Sequence, residues 1–124
     1  MRIDMSINKY IIDLFAAIDA KDTERFASFL TENVIFSFGN FPPAEGKAAV
    51  KDVVSGFFSS ISALKHNLEN VWQTGDAAII AGVVDYTRHS GSVLSVPFCD
   101  VLKMNDGKVS DYKIYIDISK LNSE

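Results

Sequence analysis

Three turn signals punctuate the second half of the chain: Gly75-Asp76, Ser90-Gly91 and Asn105-Asp106-Gly107. Between them lie long strand-like runs, about Lys65–Thr74, Ala77–His89, Ser92–Met104 and Lys108–Ile118. Consecutive strands joined by tight turns predict an antiparallel meander. The first half is patterned differently. Ser6 is placed to cap a helix in which Ile7, Tyr10, Ile11, Leu14, Phe15 and Ile18 form one apolar stripe, ending near Ala20. Lys21-Asp22 breaks the chain, and Asp22 can cap a second helix with Phe26, Phe29 and Leu30 on its apolar face. Val34–Phe38 alternates as a strand, and the segment around Pro42-Pro43 is a loop. A third helix from Lys47 presents Val50, Val53, Val54, Phe57, Phe58, Ile61 and Leu64, with Gly56 lowering its stability slightly. Helices first and strands later predict an α+β fold.

Composition narrows what such a fold can do. With 124 residues the chain has room for one core, so residues 1–124 read as a single domain. The net charge of −4, with no basic block, argues against nucleic acid. The longest apolar run, Ala77–Val84, is far short of the roughly 20 residues of a bilayer span, so no membrane partner is expected. Met1–Ser6 has no apolar signal core, and the single cysteine, Cys99, forms no internal disulfide; a cytoplasmic location is the expectation. Two histidines, no metal-ligand spacing and no phosphate-binding glycine motif imply neither metal nor cofactor. Nine phenylalanines are many for so small a core; they either fill it or line a cavity.

Turn lengths set strand register, and register sets which side chains meet. With Gly75-Asp76 and Ser90-Gly91 as two-residue loops, His66 faces Asp85, Asn70 faces Ala81 and Trp72 faces Ile79. With Asn105-Asp106-Gly107 as a three-residue loop, Asp100 faces Tyr112 and Phe98 faces Ile114. The helix-covered face then carries Leu68, Trp72, Ile79, Val83, Phe98, Leu102, Ile114 and Ile116. Its polar exceptions are His66, Asn70, Asp85, Asp100 and Tyr112. The opposite face carries Val71, Ile80, Val84, Tyr86, Cys99, Val101 and Tyr115, apolar enough to predict a homodimer through the outer sheet face.

The element order resembles the nuclear transport factor 2-like, or SnoaL-like, superfamily across essentially the whole chain. The residues that carry the resemblance are Phe15–Asp22 ending the first helix, Pro42–Gly46 before the third, and His66 opening the meander. Asn105–Val109 at the last turn and Tyr112–Asp117 in the last strand complete it. The resemblance implies a cystatin-like cone, a curved antiparallel sheet wrapped around three N-terminal helices with an interior pocket. The superfamily hosts isomerases, hydrolases, polyketide cyclases and dehydratases as well as binding modules, so the fold leaves the reaction open. Asp100 stands where ketosteroid isomerases carry an acid, but Leu14 and Ser37 stand where their tyrosine and base would be. Limonene epoxide hydrolases place their polar machinery where Phe36, Phe38, Val83 and Ile114 stand here, and only Asp85 matches.

The polar exceptions are the candidate site. Asp100 among Phe98, Leu102 and Ile114 would be desolvated and held neutral, able to donate a hydrogen bond to a developing oxyanion. Tyr112 and Asn70 would be its partners. His66 beside Asp85 would have its tautomer fixed and serve as general base. Phe15, Phe36, Phe38, Phe57, Trp72, Phe98 and Ile114 would line the pocket. Cys99 points to the other face, which leaves no Cys–His dyad. The sequence therefore predicts a proton-transfer enzyme, an isomerase, cyclase or dehydratase. It would act on a small, mostly apolar molecule with a carbonyl or hydroxyl group. The competing expectation is a non-catalytic ligand-binding or dimerisation module. The phenylalanines predict a pocket more apolar than in the catalytic relatives, or one closed outright.

Overall fold

The computed structural model describes residues 5–122, with side chains from Asn8 onward. The N-cap expected of Ser6 and the packing of Ile7 therefore lie outside the described side chains. Helix α1 (Met5–Asp19) buries Ile11, Leu14, Phe15 and Ile18 of the predicted stripe, and Ala17 beside them. Asp22 caps α2 (Thr23–Ala27) by accepting a hydrogen bond from the Arg25 N–H at 3.0 Å. This helix is shorter than its apolar pattern implies, because Leu30 already belongs to strand β1 (Leu30–Phe38). A short β2 (Ala44–Glu45) precedes α3 (Lys47–Ser59). Lys21, in left-handed backbone at φ 55°, donates from Nζ to the carbonyls of Phe58 and Ile61, a cation closing the end of α3. The meander follows as β3 (Ala63–Thr74), β4 (Ala77–Thr87), β5 (Val93–Asn105) and β6 (Lys108–Ile116).

One six-stranded sheet runs β2-β1-β6-β5-β4-β3. The meander is antiparallel as expected, whereas β1 joins β6 in parallel, so the whole sheet is mixed. A single apolar cluster joins its inner face to all three helices. Among the described residues no helix is long and apolar enough to cross a membrane.

Three local features reset the register. Thr87 pairs with Val93, which leaves Arg88–Ser92 as the connection, closed by Arg88 N–H to the Ser92 carbonyl at 2.8 Å; the two-residue loop expected at Ser90-Gly91 is not formed. This one-residue shift turns β4 over relative to β5. Ile80, Val84 and Tyr86 face the core, while Ile79, Val83 and Asp85 do not. The hairpin at Gly75-Asp76 keeps its expected register, so Asn70 and Trp72 go to the outer face with Ala81 and Ile79. A bulge at Glu69 then turns the start of β3 back, pairing Leu68 with Gly82 and His66 with Val84. Two opposite departures thus leave His66 on the inner face. At the last turn Asp106 and Gly107 both have positive φ, and Asn105 pairs with Lys108. A second irregularity makes the net shift two residues, which preserves parity: Asp100 pairs with Ile114 and Leu102 with Tyr112.

The loop after β4 is not simply solvated. Arg88 Nε donates to the Leu121 carbonyl at 2.8 Å and Nη2 to the Lys120 carbonyl at 2.9 Å, which pins the C-terminal turn. His89 Nε2 lies 2.9 Å from the Ser59 carbonyl.

Gly82 opposes the bulge at such close range that an added Cβ would sit 2.0 Å from the Asn67 carbonyl oxygen. Neither strand can yield there without losing ladder bonds. Gly82→Ala is expected to cost about 3 kcal/mol, as overpacking against backbone does, read as a fall in the urea midpoint at unchanged slope. An unchanged midpoint, which strand propensity alone would give, contradicts this.

Candidate functional site

Helix α1 ends beside the first residues of β3, and the two are joined by one carboxylate. Asp19 Oδ2 accepts the His66 backbone N–H at 2.9 Å, and Oδ1 lies 2.7 Å from His66 Nδ1. A carboxylate only accepts, so Nδ1 carries a proton and donates it to Asp19, which leaves Nε2 as the ring nitrogen that can act as a base. The imidazole is held edge-on by Phe15 and Phe98, with ring centroids 4.9 and 5.0 Å away. The His–Asp pair anticipated in the sequence therefore exists with a different aspartate. Asp85 lies on the outer face, where its carboxylate accepts from Ser95 Oγ at 2.6 Å and Asn67 Nδ2 at 3.1 Å. Those two hydrogen bonds hold its carboxyl below the usual range.

Asp100 comes inward from β5 and is 2% exposed. Tyr112 Oη donates to its Oδ2 at 3.1 Å, whereas Oδ1 has no partner among the described residues. Burial pushes the Asp100 carboxyl up to about 8, only partly opposed by the Tyr112 hydrogen bond. At neutral pH the group is predominantly the acid. Because Oδ2 accepts from Tyr112, the proton resides on Oδ1, where it can be donated. Burial also raises the phenols of Tyr112 and Tyr86 well above their ordinary range, reinforced by the nearby Asp100 carboxyl.

Asp100, His66, Tyr112 and Tyr86 line one chamber. Its apolar wall contains six phenylalanines, Phe26, Phe36, Phe38, Phe57, Phe58 and Phe98, together with Ile114, Ile116, Leu64, Ile18, Val53 and Val54. Its volume is ≈ 50 Å³, room for a few water-sized groups. Of the candidate lining residues, Phe36, Phe38, Phe57, Phe98, Tyr112 and Ile114 reach the chamber. Phe15 stands behind His66. Trp72 and Asn70 lie on the outer face with Asp85, carried there by the β4 register, and are corrected out of the chamber. Asp19 and Tyr86 escaped the sequence reading. Asp19 was legible as the acid one turn after Phe15 on the buried stripe of α1. Tyr86 was assigned to the outer face with the rest of its strand. Among the described residues no group of three or more histidine, cysteine or acidic side chains could hold a metal ion.

Solved structures of similar shape share this architecture at low identity. A Jannaschia sp. CCS1 protein assigned as a SnoaL-like polyketide cyclase superposes with a TM-score of 0.81 at 17% identity, covering 98% of this chain and 92% of that one. TerC, co-crystallised with polyporic acid, gives 0.79 at 17% identity, covering 92% and 93%. A Mycobacterium tuberculosis LEH-like epoxide hydrolase gives 0.77 at 12% identity, covering 90% and 82%. At these identities the likeness is one of fold. No curated protein matches the sequence. The model of the SnoaL-like domain matches residues 11–112, most of the chain and every element of the chamber from α1 to Tyr112, and by that match the protein belongs to the SnoaL-like domain family.

Proposed function

We propose that the protein is a proton-transfer enzyme acting on a small, mostly apolar carbonyl compound, with His66 as base and Asp100 as acid. The observation that carries this reading is that an oriented imidazole and a neutral carboxylic acid open into one apolar chamber. Asp100 donates from Oδ1 to the substrate carbonyl, and His66 Nε2 removes a proton from a more distant carbon conjugated with it through a carbon–carbon double bond. The developing enolate oxygen is stabilised where water is excluded. Return of the proton at another carbon gives isomerisation; attack of the enol on a second carbonyl gives cyclisation; expulsion of a hydroxyl gives dehydration. Asp19 positions His66, and Tyr112 positions Asp100. The pairing partners of the two groups on β4, Val84 and Ile80, are four residues apart, about 13 Å along the strand. A substrate bridging them is acted on at separated atoms. Polyketide cyclase and epoxide hydrolase assignments among the structural neighbours are compatible with this class.

The small volume of the chamber favours one alternative, a ligand-binding module without turnover. Deuterium uptake separates the two readings. With a panel of cyclic enones bearing acidic γ protons in D₂O, NMR should show exchange by the parent, and both His66→Ala and Asp100→Asn should lower its rate at least about 100-fold. Failure of the parent to exchange any of them supports the binding module.

Asp100 also sets a pH dependence. Its folded pKa, raised to about 8, exceeds the unfolded value near 3.9. The folded state therefore holds a proton that the unfolded chain has released. The contribution to stability is fully present below about pH 4 and is lost as pH rises toward 8, by at most about 1.4 kcal/mol per pH unit. Asp100→Asn lacks this term. The parent is expected to lose stability relative to Asp100→Asn between pH 5 and 8 in urea melts; parallel pH profiles would contradict a neutral Asp100.

We propose further that the protein forms a homodimer through the outer sheet face. The corrected register puts Trp72 (38% exposed), Ile79, Val83, Cys99, Val101 and Tyr115 (59% exposed) there. Val101→Lys with Tyr115→Asp should halve the mass seen by sedimentation equilibrium while leaving the fold intact. A parent that sediments as a monomer contradicts it. The free thiol of Cys99 is consistent with a reducing, cytoplasmic setting.

A further inference from the structure

The aromatic wall of the chamber has a second side. Phe36, Phe38, Val53 and Phe57 line both the chamber and an outer vestibule of ≈ 400 Å³. The Phe38 and Phe57 rings meet edge to face at 4.9 Å between centroids and stand between the two spaces. Phe41, Pro42, Ala44, Ile118 and Leu121 add to the outer apolar lining. Phe41 is 59% exposed and Val53 46% exposed, large apolar side chains left open to solvent around one concavity.

The two volumes divide a ligand. The chamber, at ≈ 50 Å³, accepts the reacting conjugated carbonyl and little more, while the vestibule is in the range of small-molecule sites. Among the described residues no charged side chain lines the vestibule, and its polar members are Ser60 and Asn122. Gly56 of α3 also lines it, and an added Cβ there would find nothing within 4 Å. Its backbone is helical, so nothing in the conformation demands glycine, which costs helix stability relative to alanine. What the missing side chain provides is open volume.

We propose that the vestibule is the subsite for the non-reacting part of the substrate, a neutral ring system, and that Gly56 determines the size it admits. The proposal rests on the catalytic reading for the end of the substrate that enters the chamber. Continuity of the lining through Phe38 and Phe57 selects this occupant over a protein partner, since one molecule can reach both spaces.

The test uses phenol and 4-phenylphenol as probes, titrated calorimetrically into the parent, Gly56→Ala and Gly56→Leu. The parent should bind 4-phenylphenol at least about tenfold more tightly than phenol, the gain expected from burying one more ring. Gly56→Leu should shrink that ratio to within about threefold with phenol affinity unchanged, and Gly56→Ala should fall between. Both variants should melt no lower than the parent, because each raises helix propensity. A ratio unaffected by Gly56→Leu, or a parent that does not distinguish the probes, overturns the proposal. So does self-association of the parent that is lost in Gly56→Leu, which would assign the groove to a second copy. Failure of the catalytic reading looks different: Gly56-dependent binding of 4-phenylphenol without deuterium exchange on any ketone leaves the vestibule standing and removes the chemistry.

Discussion

The backbone approach of Asn67 to Gly82 decides what the interior of this protein contains. A bulge at Glu69 reverses the facing of β3, and only a residue without a Cβ can lie beneath it. On one side of the bulge Asn70 and Trp72 face outward; on the other, Leu68, His66 and Leu64 face the helices. His66 is thereby delivered to the end of α1, where Asp19 takes both its backbone and its ring. Without the reversal the imidazole would be on the wrong side of the sheet from Asp100.

The two polar pairs are held by different physics. Asp19 and His66 retain some contact with solvent, and their geometry comes from a charge-assisted hydrogen bond anchored at a helix end. Asp100 and Tyr112 are buried in the core, where desolvation keeps the carboxyl protonated, and Oδ1 is left without a partner among the described residues. The phenylalanines supply the low polarity that maintains this difference. They reduce the chamber to the size of a functional group and leave the body of a ligand to the vestibule.

The fold was largely legible in the sequence, and the errors were local. The helical stripe of α1, the Asp22 cap and the three turn positions all follow from spacing and residue type. Facing was harder, because period-two alternation amplifies a one-residue difference in a loop into the inversion of a strand. The Arg88–Ser92 connection did this to β4. Ile80, Val84 and Tyr86 read as an outer face for the same reason that Trp72 read as an inner one: both sides of this sheet are apolar, so pattern alone cannot tell them apart. Asp100 and Tyr112 survived because their strand was shifted by two residues and not one. Asp85 did not, and its place beside His66 is taken by Asp19, 47 residues away in sequence, a distance over which turn geometry says nothing.

Everything above turns on Asp100 being an acid at neutral pH, with Oδ1 unpartnered among the described residues. Its carboxyl carbon can be followed directly by ¹³C NMR across pH 3 to 10, with Asp100→Asn identifying the resonance. The expected midpoint is near 8. A midpoint near 4, the ordinary aspartate value, would mean that the group is ionised in the folded protein and would contradict it.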